Sequence, residues 1–203
     1  MESKEKIFWN WFSSQNVAYL SLDSVDARTR ECLLNQFLAV LHNYCDSLFF
    51  QILNGAPTSE LIITAEGDKN YFDAVEGLIK QAPKIEHWEI VAFKQPIGVN
   101  FITDYQGIKI DPQKSWFLPL ENHSGQLGLR VYIENVSFNE EIKALTAVYE
   151  CLDAMLGEKV NASNIFHVEV EVIPTPTHPE EDGLIELWEL PAYIDWRNGV
   201  VRK

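Results

Sequence analysis

The sequence predicts an α+β fold: a mixed, largely antiparallel sheet from two strand-strand-helix-strand units, preceded by an N-terminal helical pair. Three observations predict it. The order strand, strand, helix, strand runs from Leu48 to Phe93 and recurs from Trp116 to Ile173, although the side-chain identities do not repeat. Two helical segments stand ahead of the first set. The composition, 46% hydrophobic and 23% charged over 203 residues, is that of a chain able to bury a core without disulfides or a structural metal.

The elements follow from the apolar period. Ile7, Phe8, Trp11 and Phe12 have the spacing of one helical face. A second helix is expected from Asp26 to Cys45. Ser21, Asp23, Ser24 and Asp26 are its candidate caps, and Leu33, Leu34, Phe37, Leu38, Leu41, Tyr44 and Cys45 its stripe. Leu48 to Leu53 reads as a strand and Asn54-Gly55-Ala56-Pro57 as a turn. The unbroken apolar run Leu61 to Ala65 suits a central strand covered on both faces. Glu66-Gly67-Asp68 ends it, and a helix opens near Asn70, buries Phe72, Val75, Leu78 and Ile79, and stops at Pro83. Trp88 to Phe93 is the next strand.

Gln95 to Gln113 has no assignable period. Strands are expected at Trp116 to Leu120 and Leu127 to Glu134. Ser137-x-x-Glu140 is a capping box before a long helix with the stripe Phe138, Ile142, Leu145, Tyr149, Leu152 and Leu156. Gly157 takes the left-handed position beyond its end. From Ile165 to Ile173 the strand pattern alternates Phe166, Val168, Val170 and Val172 against His167, Glu169 and Glu171. A proline-rich connector, Pro174 to Gly183, leads to Leu184, Leu187, Trp188, Leu190, Tyr193, Ile194 and Trp196. These are too apolar to leave in water and are expected to pack back. The chain reads as a single globular domain over residues 1–203, with sub-units 1–96 and 107–173 and a C-terminal extension 174–203.

Charge and motifs bound the function. A formal net charge of −14 repels nucleic-acid phosphates and anionic lipid, and steers basic proteins toward the surface, although acidity also serves solubility alone. Cys32, Cys45 and Cys151 are odd in number and widely spaced, which suits reduced thiols. The charged N-terminus lacks a signal-peptide pattern, and no stretch approaches the roughly 20 apolar residues of a membrane span. A cytoplasmic location is expected, in which the sequons at Asn122, Asn135 and Asn161 carry no meaning. The glycine-rich phosphate loops, H-E-x-x-H and G-x-S-x-G are absent from the sequence. No cofactor and no metal are expected.

Four candidate constellations remain. His167, Glu169 and Glu171 would share one sheet face with Arg130, Tyr132 and Glu134 if their strands pair, offering an imidazole, carboxylates, a guanidinium and a phenol for acid–base work or metal binding. A solvated face laced with ion pairs is the commoner outcome of that pattern. Glu66, Asp68 and Asn70 sit where a strand passes into a helix, a frequent ligand position. Their carboxylates suit a cation or a basic partner, or simply turn and cap chemistry. His42 and Cys45 stand three apart on a helix, where a buried structural thiol is the simpler outcome. Glu150 with Asp153, and Glu186 with Glu189, are carboxylate pairs that suit solvated faces. Finally, Trp9, Trp11, Trp188 and Trp196 either close over the core or anchor an interface, including that of a homodimer.

Trp9-x-Trp11-Phe12, Ile63-Thr64-Ala65-Glu66-Gly67-Asp68, Ala82-Pro83, Trp88-x-x-Val91-Ala92-Phe93-Lys94-Gln95-Pro96 and the closing Glu189-Leu190-Pro191 with Asp195-Trp196-Arg197 resemble an uncharacterised family of bacterial cytoplasmic proteins. The resemblance implies a bacterial, cytoplasmic origin and no particular chemistry. The function expected from the charge and the missing motifs is that of a non-enzymatic, acidic, protein-binding protein of the immunity or inhibitor type, taking a basic partner. The alternative is a hydrolase or metal-dependent enzyme working on the polar sheet face.

Overall fold

The computed structural model describes residues 2–121, 125–134, 141–173, 179 and 182–199. The fold is α+β, in two compact units, Met1–Lys94 and Gln95–Lys203. Among the described residues no helix is long and apolar enough to cross a membrane.

The first unit opens with the helical pair α1 (Lys4–Tyr19) and α2 (Ala27–Tyr44). Ser3 caps α1, and Asp26 caps α2 by accepting from the Arg28 and Thr29 amides at 3.0 Å. The buried face of α1 is Phe8, Trp9, Phe12 and Tyr19, and Ile7 is half exposed. The buried face is thus turned away from Ile7, because the aromatic rings must reach Phe37 of α2. Phe8, Trp11, Phe12 and Tyr19 all lie within 5.5–5.6 Å of that ring, mostly edge to face. A three-stranded sheet follows in the order β1 (Phe49–Leu53), β2 (Ser59–Thr64), β3 (Trp88–Ala92). The β1–β2 pairing is antiparallel and the β2–β3 pairing parallel, with α3 (Phe72–Lys80) as the crossover. Phe50 stacks on Phe37 at 4.0 Å and Trp88 meets Phe12 at 5.2 Å, so one sheet face is sealed by aromatic side chains.

The second unit repeats that topology. A hairpin of β4 (Thr103–Tyr105) and β5 (Ile108–Ile110) stands first. It lies in the segment without an assignable period. Its turn places Gln106 (φ 51°) and Gly107 (φ 91°) both in the left-handed region, and Gln at the first position hides the usual Asn-Gly or Asp-Gly signature. The main sheet has the order β8 (Ile165–Val172), β7 (Leu127–Ile133), β6 (Trp116–Glu121), β9 (Ile185–Glu186). Again the first pairing, β6–β7, is antiparallel and the second, β7–β8, is parallel across a helical crossover. That crossover is α4 (Glu141–Leu156) followed at once by α5 (Glu158–Asn164). Gly157 sits between them at φ 76°, ψ 148°, a backbone conformation open essentially to glycine. The capping box Ser137–Glu140 lies outside the described residues.

The stripe of α4 differs from the sequence expectation. Its buried residues are Ala144, Ala147, Val148, Cys151, Leu152, Met155 and Leu156, whereas Ile142 is 83% and Tyr149 41% exposed. Two alanines let the helix approach the sheet closely, a face that a search for large apolar residues misses. The chain after the connector closes this core. β9 pairs with β6, and Leu187, Leu190 and Ile194, the last two on α6 (Leu190–Arg197), are buried in the cluster with Phe117, Leu129 and Val131. Arg197 of α6 reaches the Glu121 carboxylate and the Gly125 carbonyl.

The rotated stripe makes a contrast. Leu152→Ala is expected to cost about 2–5 kcal/mol by emptying a fully buried site. Ile142→Gln, on the exposed side, is expected to change stability by less than about 0.5 kcal/mol. Urea denaturation of the two variants checks which side of α4 faces the core.

Candidate functional site

The polar constellation is assembled by the parallel register of β7 and β8. Arg130 stands beside Glu169 and Tyr132 beside Glu171. Arg130 Nε donates to Glu169 Oε2 at 2.8 Å, and His167 Nε2 meets Glu169 Oε1 at 3.3 Å. One carboxylate therefore bridges a guanidinium and an imidazole. The Arg130 bond, joined by that of His167, holds the Glu169 carboxyl below the usual carboxylate range. Glu169 in turn raises Arg130. A carboxylate stabilised in its charged form by a permanent cation is a poor proton carrier at neutral pH, since a general base works best near the operating pH. About a third of each side chain of the Arg130–Glu169 pair is exposed, and His167 is more open still. Glu171 is exposed and has no partner among the described residues. Among these residues no group of three His, Cys, Asp or Glu is placed to hold a metal ion.

The strand itself explains the charge. Among the described strands β8 is a sheet edge, and charged side chains on an edge hinder pairing with other chains. Its alternation is also broken. Leu127 pairs with Ile165 and the next residue, Gly128, pairs with His167, so Phe166 is bulged out of register and is 66% exposed rather than inward. Gly128 suits this close approach: a Cβ on it would meet the Leu120 side chain at 3.3 Å and the His167 carbonyl at 3.4 Å.

The loop after β2 is built from its own residues. Glu66 (φ 49°) pairs with Lys94 Nζ at 2.8 Å. Asp68 caps the helical turn Lys69–Tyr71 through the Asn70 amide at 3.0 Å and also takes the Asn70 side-chain amide at 2.9 Å. Glu66, Asp68 and Asn70 thus serve turn and cap chemistry. His42 Nε2 bonds to the Leu48 carbonyl at 3.1 Å, which orients the ring by backbone and not by Cys45. Cys151 is fully buried, and burial pushes its thiol up to about 12. Asp153 accepts from Asn161 at 2.7 Å, and Glu186 accepts from the Trp188 indole at 2.8 Å. Trp9 is buried, its indole donating to the Leu78 carbonyl at 2.8 Å, whereas Trp188 and Trp196 are 37% and 72% exposed.

Sequence reasoning missed the most charged feature of the first unit. Glu60 and Glu89 are register partners on the parallel strands β2 and β3, and Leu53 lies opposite Glu60 on β1. Alternation puts this row on the face turned away from Phe50 and Trp88. Leu53 is 52% exposed, and neither carboxylate has a cation partner among the described residues. The signal was a single Glu in each of two apolar strands; only the register sets them side by side.

The Arg130–Glu169 pair makes a pH prediction. The folded Glu169 pKa lies below its unfolded value, so its contribution is present above about pH 4–5 and is lost as the pH falls through the folded value. Glu169→Gln is expected to cost about 0.2–1 kcal/mol at pH 7, the range of a part-exposed pair, and less at pH 2. Denaturation midpoints at the two pH values check both. Comparison of the chain with family models, with curated proteins and with solved structures finds no match.

Proposed function

We propose that this protein is a non-enzymatic binding module that receives a basic protein partner on its acidic surface, in the manner of an immunity or inhibitor protein. The observation that carries the reading is the carboxylate pair Glu60 and Glu89, adjacent in register and without a cation among the described residues. Like charges placed directly across two strands destabilise a sheet. A partner's Lys or Arg between them would relieve that repulsion, and the exposed Leu53 beside them offers apolar contact. The formal charge of −14 would steer such a partner over longer range. The ion-paired, edge-protecting role of His167, Glu169 and Arg130 leaves the enzymatic alternative with less support. The proposed setting is the reducing cytoplasm of a bacterium, to which the exposed free thiol of Cys32 is suited.

Capture from a bacterial lysate, by the wild type and by the Glu60→Gln/Glu89→Gln double variant, tests it. The expected outcome is a basic protein retained by the wild type at low salt, lost at high salt as screening shortens, and retained poorly by the variant. The variant itself is expected to be more stable than the wild type by about 0.2–1 kcal/mol, since it removes a like-charge pair. Equal capture by both proteins would remove the carboxylate pair as the recognition element.

A further inference from the structure

The sheet of the second unit turns one face to the core, through Phe117, Leu129, Val131 and Val168. Alternation puts the residues between them on the other face. There the register builds a row of four side chains on four strands. Glu171 of β8 stands beside Tyr132 of β7, Tyr132 beside Trp116 of β6, and Trp116 beside Glu186 of β9. Strands lie about 4.8 Å apart, so the row spans about 14 Å, with two aromatic side chains in the middle and a carboxylate at each end. Trp116, Tyr132 and Glu186 are half-buried and Glu171 is exposed. A third ring joins at the β9 end. The Trp188 indole donates to Glu186 Oε2 at 2.8 Å, and Trp188 is 37% exposed.

The charges around the row leave it negative. Arg130, one row away, holds Glu169 at 2.8 Å and also donates to the Tyr132 oxygen. Lys114, two residues before Trp116, pairs with Asp111 at 3.8 Å. Both cations are thus matched by carboxylates outside the row, whereas Glu171 and Glu186 have no cation partner among the described residues. Aromatic faces attract cations through the ring quadrupole, Trp most strongly. The middle of the row lies about 7 Å from each carboxylate, within the Debye length at physiological salt. Rings and carboxylates therefore favour a positive charge at the same place. Acceptors are scarce there, because the Tyr132 oxygen is engaged by Arg130 and Glu186 Oε2 by the indole. A primary ammonium brings three donors that lose water on binding and need acceptors. A quaternary ammonium brings none, and its methyl groups suit ring faces.

We infer that this row binds a small, free quaternary ammonium ion, its methyl groups against Trp116 and Tyr132 and its charge between Glu171 and Glu186. Charge complementarity selects a cation, and the shortage of acceptors selects an alkylated one. The same carboxylates disfavour a phosphate attached to it, so a free cation fits better than a phospholipid headgroup. The site lies in the second unit and shares no residue with the Glu60–Glu89 face, so neither reading depends on the other.

Isothermal titration calorimetry of the full chain with choline tests the inference. The comparison ligands are the neutral tert-butyl isostere of choline, butylammonium and phosphocholine. The expected result is saturable binding of choline, about tenfold tighter than the isostere, as a cation–aromatic contact implies. Butylammonium and phosphocholine are expected to bind more weakly than choline. Glu171→Gln is expected to weaken choline about threefold, the effect of one charge at that distance in water, and to leave the isostere unchanged. Trp116→Leu is expected to remove binding. Absence of saturable choline binding, or equal binding of choline and its isostere, overturns the proposal. Tighter binding of butylammonium overturns it in favour of a lysine-type ammonium, and tighter binding of phosphocholine in favour of a lipid headgroup. Choline affinity unchanged in Glu171→Gln also overturns it, by moving the cation away from this row. The ligand comparisons need no variant, so they stand even if Trp116→Leu fails to fold.

Discussion

The parallel registers of β2 with β3 and of β7 with β8 are the constraint on which the other features depend. Side chains alternate strictly across a strand, so a slip of one residue would exchange the buried and exposed sets on the whole strand. In the first unit that register places Glu60 beside Glu89 and leaves Trp88 to meet Phe12. In the second it places Arg130 beside Glu169 and keeps Leu129 and Val131 in the core. A parallel pairing requires a crossover, so α3 in one unit, and α4 with α5 in the other, are consequences of the same choice.

The two units share a topology but differ in how their sheets are finished. In the first, aromatic rings from α1 and α2 seal one face, with Phe37 at their centre, and the outer edge of β1 is paired by no described strand. In the second, β9 and α6 return to the sheet, and the far edge, β8, carries a bulge and a row of charged side chains. An edge can be defended by charge or offered for pairing. His167, Glu169 and Glu171 do the first on β8. The outer edge of β1, which no described strand pairs, is open to the second.

Much of the element order was legible because strand and helix periods are local. The repeated strand-strand-helix-strand order, the Asp26 cap and the central position of β2 all follow from short windows of residues. Orientation was less legible. Ile142 and Tyr149 have helical spacing with Leu145 and Leu152, yet the buried side of α4 runs through Ala144 and Ala147, whose small size is what close packing on a sheet rewards. Phe166 belongs to a clean alternation and is nevertheless extruded by a bulge. The hairpin of β4 and β5 escaped because its turn begins with Gln106, a residue rarely found at positive φ.

The candidate sites divide in the same way. Sequence alone determined the acidity, the separated thiols, the periodicities and the residue types at His167, Glu169, Arg130, Glu66 and Asp68, because these are properties of single residues or of near neighbours along the chain. Tertiary structure decided which of them meet. It joined Arg130 to Glu169 across 39 residues, and set Glu60 against Glu89. Such contacts arise from strand register and from the reversal of the chain between helix and strand. Neither leaves a local trace, because the free energy that selects them comes from packing between segments distant in sequence.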